Sequence, residues 1–249
     1  MTHIFAGGWK RDAPDPRDLI YAPRKKRGVS TTNIDLRKTG LFPPIYNQGR
    51  TQSCIGASLA AVLEYGRRRE KKRPDFDPSR LFIYYNTRVI EKDAEKDEGG
   101  ELRNGMKSLT DYGSASEALW PFDENKVLEK PIPSAYEEGT KSMIKKYMRI
   151  PTDLKKILNV LSHDMPIAFG LSCFENFDTA KTAEDGIIPM PTGKHKGDHA
   201  MVIVGYNGSH FIVRNSWGDS WGDNGYAYIP TDYMLNDNLG GDYWCIELA

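Results

Sequence analysis

Apolar residues recur at helical spacing through the first half of the chain and in short continuous runs through the second. Ile55, Leu59, Val62 and Leu63 share one face of a helix that starts near Cys54. Asp77-Pro78, an N-cap followed by a first-turn proline, precedes Leu81-Phe82 and predicts a second helix. Leu102, Met106 and Leu109 lie one turn apart and predict a third, with Gly113 where a C-terminal cap belongs. After about residue 135 the pattern predicts one helix around Leu154 to Leu161 and then strands. These are Ile167 to Leu171, Ala200 to Gly205, Phe211 to Val213 and Tyr226 to Ile229. A helical half followed by a mostly β half predicts an α+β protein of two subdomains, with a ligand cleft between them.

Residues 1 to 32 break both patterns. Pro14, Pro16, Pro23 and Gly28 and the basic run Arg24-Lys25-Lys26-Arg27 read as an extended arm. The full 249 residues, 39% apolar and 27% charged, suit one large core or two small ones. Lysine plus arginine equals aspartate plus glutamate at 34 each, so no overall field draws the chain to nucleic acid or an acidic membrane. The local clusters Arg67-Arg68-Arg69 and Lys71-Lys72-Arg73 fall at a predicted helix C-terminus, which favours cations without any nucleic-acid partner. The first thirty residues hold no apolar run of seven, so neither a secretory signal nor a membrane span is expected. A cytoplasmic monomer is the expectation, with export by another route left open. Three cysteines are too few for a disulfide framework; Cys173 and Cys245, in apolar contexts, are expected to be buried thiols.

Candidate chemistry begins at Cys54, placed at the start of the first helix, where unpaired amides and the positive dipole end favour a thiolate and can hold an oxyanion. By itself it reads more readily as a small buried hydrophobe, and a base elsewhere in the sequence is needed to favour catalysis. A base comes from Gly197-Asp198-His199-Ala200, which leads into one strand, and an orienter from Arg214-Asn215-Ser216-Trp217 at the end of the next. The turn signal Gly205-Tyr206-Asn207-Gly208-Ser209 joins them into a hairpin. A three-residue loop with Gly208 left-handed would place His199 opposite Asn215; a two-residue loop would put them on opposite faces unless a bulge restores the register. The Asn215 carbonyl would then hold the imidazole N–H, with Trp217 covering that bond from water.

These residues give the chain a family resemblance. From about residue 33 onward it resembles the papain-like cysteine peptidases. The resemblance rests on Asp35-Leu36-Arg37, Gly40, Pro44 and Asn47-Gln48-Gly49, with Cys54 six residues after Gln48. Asp198-His199-Ala200 and Asn215-Ser216-Trp217-Gly218-Asp219-Ser220-Trp221-Gly222-Asp223-Asn224-Gly225-Tyr226 complete it. The resemblance implies a papain-like fold, with a helical subdomain at about 41–135 and a β-barrel-like one at about 136–249. It also implies a polypeptide substrate, no cofactor and no metal, a Cys54–His199–Asn215 triad, and Gln48 in the oxyanion hole. Gly99 and Gly100 would pair with the extended substrate, and Leu102, Gly170 and Asp198 would lie near the pocket for the second side chain upstream of the cut. His195 and His199 have zinc-like spacing only on a helix, which the surrounding glycines make improbable; His3, His163 and His210 are read as ordinary.

The departures are as informative. Where the family signature has Cys-Gly-Ser/Ala-Cys followed by an aromatic residue, this chain has Thr51, Gln52, Ser53, Cys54 and Ile55, so the disulfide beside the nucleophile is impossible. Only the short arm stands where a long pro-segment is usual. It is expected either across the cleft, restraining the enzyme, or packed on the back of the β half. A transpeptidase would use the same residues, and a non-catalytic binding homologue is the third alternative.

Overall fold

The computed structural model describes residues 7–23, 33–72 and 76–249. Arg24 to Gly28, His3 and Arg73 lie outside them. The first half carries β1 (Trp9–Lys10), β2 (Ile34–Asp35), α1 (Cys54–Arg69), α2 (Arg80–Glu91), β3 (Gly100–Glu101), α3 (Leu102–Asp111) and α4 (Pro133–Gly139). The second carries β4 (Ile144–Ile150), α5 (Leu154–Ser162), β5 (Ile167–Phe174), α6 (Ala180–Asp185), β6 (His195–Tyr206), β7 (His210–Arg214), β8 (Tyr226–Pro230), α7 (Thr231–Met234) and β9 (Gly240–Leu248). The order across the main sheet is β4-β9-β5-β6-β7-β8, every neighbouring pair antiparallel, and β2 adds to β6. This is the expected α+β division. Among the described residues no helix is long and apolar enough to cross a membrane.

Two differences from the sequence expectation have local causes. The second helix is capped by Ser79, whose Oγ accepts from Phe82 N–H at 3.1 Å, and not by Asp77; Pro78 instead makes a bridge to Ser116. Strands β4 and β9 were not expected. In β4, Lys145 and Lys146 interrupt the apolar run at the edge of the sheet, where charge is common, and Arg149 pairs with Asp12, Asp18 and Asp242.

The helix α1 is buried almost all round, although its sequence suggests a single apolar face. Leu59, Val62 and Leu63 share a core with Ile83 and Met106 from α2 and α3, and with Ala168, Val202, Val204 and Trp244 from the sheet. The helix is the shared wall between the halves. A second core lies within the β half, built around Ile157, Leu161, Phe169, Ile203, Phe211 and Trp217. The N-terminus of α1 therefore meets the start of β6, which brings Cys54 to His199.

Candidate active site

The segment before α1 is fixed by its own polar groups. Thr51 Oγ donates to the Gln48 carbonyl at 2.8 Å and lies 2.6 Å from Ser53 Oγ, so a hydroxyl braces the loop where the family signature has a cysteine. Gln48 N–H donates to the Ser216 carbonyl at 2.9 Å, joining this loop to the segment after β7. Cys54 is the first residue of α1, and its Sγ accepts from Ala200 N–H at 3.3 Å. The thiol is fully buried, and that burial pushes it up to about 12. The N–H groups of Ala200, Ile55 and Cys54 itself pull the other way. The expected lowering by the helix terminus is thus present but outweighed by exclusion of water.

The hairpin of β6 and β7 reaches the expected arrangement by another register. Asn207 N–H donates to the His210 carbonyl at 3.0 Å, closing a tight turn over Gly208 and Ser209, and Gly205 pairs with Ile212 instead of Ser209. Gly208 has positive φ, as the turn demands. Continued unbroken, that register would place His199 and Asn215 on opposite faces. A bulge between Ile203 and Gly205 restores the parity, so that Ile203 pairs with Val213 and Val202 with Arg214. His199 Nε2 then lies 2.8 Å from Asn215 Oδ1. That oxygen also accepts from Ser216 N–H at 2.8 Å, which fixes the amide orientation and makes Nε2 the protonated ring nitrogen. Trp217 stacks on the imidazole at 4.8 Å and 20°, shielding the bond as expected.

The Gln48 side chain is held at both ends of its amide. Its Oε1 accepts from Ser216 Oγ at 2.7 Å, and its Nε2 donates to the Thr51 carbonyl at 2.9 Å. The same Nε2 donates at 3.3 Å to the carbonyl of Gly7, a residue of the arm.

The arm runs through the cleft over the remaining candidate residues. Gly8 N–H donates to the Asp198 carbonyl at 2.8 Å, and Gly100 N–H donates to the Gly8 carbonyl at 2.8 Å. Trp9 pairs with Gly100 in parallel and joins the core that contains Leu102. A Cβ on Gly170 would lie 1.9 Å from the Trp9 ring, and one on Gly99 would lie 2.0 Å from the Gly8 carbonyl oxygen. Each residue expected to line the substrate site therefore faces the arm. Beyond the cleft, Asp12 and Asp18 are tied to Arg103 and Arg149 of the body. Residues 19–21 then pair with Arg149 on β4, and Tyr21 enters the core of the β half. Among the described residues, successive stretches of the arm thus lie against the candidate site residues and along β4.

Several supporting residues carry no sequence signal. Asp97 accepts from Gln52 N–H at 3.0 Å and from Tyr84 OH at 2.6 Å, and Tyr84 OH accepts from Gly99 N–H at 3.0 Å, linking nucleophile loop and cleft wall. Trp9 could have been marked by its isolation: one large aromatic residue after Gly7-Gly8 in a polar arm. His195 Nε2 lies 3.1 Å from Asp198 Oδ1 at the surface. The basic cluster is engaged by the fold: Arg68 pairs with Glu64, Arg67 lies over Phe76, and Arg69 donates to the Asp164 carbonyl.

Comparison with known proteins agrees with this geometry. Residues 30–239 match the papain family cysteine proteases. The chain belongs to that family. It is 34% identical to an uncharacterized peptidase C1-like protein of Acanthamoeba polyphaga mimivirus, over 96% of this chain and 86% of that one. Mouse cathepsin K is 26% identical over 85% of this chain, which spans 63% of cathepsin K's length. Among solved structures, xylellain, a cysteine protease from Xylella fastidiosa, superposes with a TM-score of 0.90 at 32% identity, covering 98% of this chain and 96% of that one. This papain-family member is a cysteine-type peptidase of α+β papain fold, and peptides are its substrates.

Proposed function

We propose that the chain hydrolyses peptide bonds through Cys54, His199 and Asn215, with Gln48 and the Cys54 N–H as oxyanion donors, and that residues 7–12 keep this site latent. The observation that carries the reading is the Gly7 carbonyl, which accepts from Gln48 Nε2 at 3.3 Å as a scissile carbonyl would. His199 Nδ1, its ring held by Asn215 at Nε2, takes the thiol proton. The thiolate attacks the substrate carbonyl and the oxyanion forms at Gln48. His199 then protonates the leaving amine, and water hydrolyses the thioester.

Chain direction explains why the arm resists its own enzyme. In a substrate the pocket at Gly170 would receive the second side chain before the scissile carbonyl. The arm reaches it two residues after Gly7, with the opposite polarity, and its pairing with β3 is parallel. Its peptide bond is presented backwards to the nucleophile.

The test is hydrolysis of a fluorogenic peptide library by the full chain carrying Trp9→Ala, with and without Cys54→Ala. Turnover by the first and a loss of about 10⁶-fold in the second are expected, as for removal of a nucleophile from a triad. Hydrolysis that survives Cys54→Ala would defeat the reading.

A further inference from the structure

The pocket that holds Trp9 contains a polar group that an aliphatic or phenyl side chain would leave unused. Trp9 Nε1 donates to Asp242 Oδ2 at 3.0 Å, and both residues are buried. The other carboxylate oxygen, Oδ1, accepts from Arg149 Nη1 at 3.0 Å. Asp242 is therefore paired through Oδ1, while Oδ2 takes the indole N–H and, at 2.7 Å, the N–H of Asp12, which leaves with the arm. The ring lies where a Cβ on Gly170 would be, so the wall opposite is cut back to admit a flat bicyclic side chain. Arg11 stacks over the ring at 4.9 Å, but it belongs to the arm and leaves with it.

We propose that Asp242 is a specificity-determining residue, and that the cleft selects peptides with tryptophan as the second residue before the cut. This rests on the peptidase reading for the direction of the substrate, but the recognition itself is a property of the pocket. A carboxylate in a substrate pocket might suggest a basic side chain, and the charges around Asp242 argue against one. When residues 7–12 leave, Asp12 leaves with them, and Arg149 loses that partner but keeps Asp18, which adjoins residues 19–21 paired with β4. A guanidinium or ammonium entering the pocket would meet the Arg149 guanidinium already paired with Asp242. A neutral N–H donor meets only the open oxygen. Phenylalanine fills the space and leaves that buried oxygen without its donor, which is the costly case.

The test measures binding, so that it does not depend on turnover. The full chain carrying Trp9→Ala and Cys54→Ala is titrated with otherwise identical acetylated peptides that bear Trp, Phe, Leu or Arg as the second residue before the peptide bond facing Cys54. The Trp peptide should bind about tenfold tighter than the Phe peptide, the scale of one buried hydrogen bond to a charged acceptor, and Arg no tighter than Phe. Adding Asp242→Gly, which suits the positive φ at this position, should remove the Trp-over-Phe ratio. Adding Asp242→Asn, which keeps an oxygen acceptor, should leave about threefold of it. Equal Trp and Phe binding, tighter Arg binding, or a ratio unchanged by Asp242→Gly overturns the assignment. Tryptophan-selective binding with no hydrolysis by the Cys54-containing chain would instead overturn the peptidase reading and leave the pocket assignment standing.

Discussion

Two stretches of one arm are held in different ways. Residues 7–12 lie in the cleft through backbone hydrogen bonds, one indole and a buried carboxylate. Residues 19–21 add to the exposed edge of β4 and drive Tyr21 into the core of the β half, where its OH donates to Asn159 Oδ1 at 2.9 Å. The first stretch lies against Gln48, Gly100, Gly170 and Asp198, the candidate site residues. The second uses sheet pairing and aromatic burial, which nothing in the cleft competes for. One is a plug and the other an anchor, and the tether between them keeps the plug at a high effective concentration near the site.

The largest effect is expected at the anchor. Tyr21→Ala should lower the unfolding free energy by about 3 kcal/mol, the scale for deleting a buried aromatic ring, read as a fall in denaturant midpoint. Trp9→Ala should change that midpoint far less. If the two substitutions cost the same stability, the division into plug and anchor fails.

A smaller effect comes from pH. Asp12 accepts from Trp244 Nε1 at 2.9 Å and from Arg149 at 2.7 Å, but burial first, and Asp242 second, push it from its ordinary 3.8 up to about 7. The docked arm therefore binds a proton that the released arm does not hold between those values. Docking is favoured fully below pH 4 and its contribution is lost as pH rises through 7. Amide exchange protection of residues 8–12, corrected for intrinsic rates, should fall severalfold between pH 5 and pH 8, and Asp12→Asn should flatten that dependence. Protection that rises with pH would contradict it.

Much of this arrangement is readable in the sequence, and the gaps have physical reasons. The helices around Leu59 and Met106 and the strands around Phe169 and Ile203 follow from apolar periodicity, because each buries a continuous surface. The hairpin carries its glycine signal, but its bulge near Val204 does not, since a bulge reflects how two strands pack and not which residues compose them. Strand β4 is masked by the charges its edge position requires. Cys54, His199 and Asn215 stand out because chemistry restricts their type. Ser216 and Asp97 act through hydrogen bonds that many residues supply, so no pattern marks them. The arm's path depends on pairing across 91 positions, from Trp9 to Gly100, beyond the reach of local pattern.

The most direct test of the central claim uses Gly8. Its φ is +120°, and a Cβ there would lie 2.0 Å from the Gln52 carbonyl oxygen, so Gly8→Ala should expel the plug while leaving Cys54, His199, Asn215, Gln48 and the anchor untouched. The rate of Cys54 alkylation by a small epoxide, located by mass spectrometry, should be at least about 100-fold faster in Gly8→Ala than in the unaltered chain, as expected when a group buried in the docked state becomes exposed. Equal rates would contradict the account.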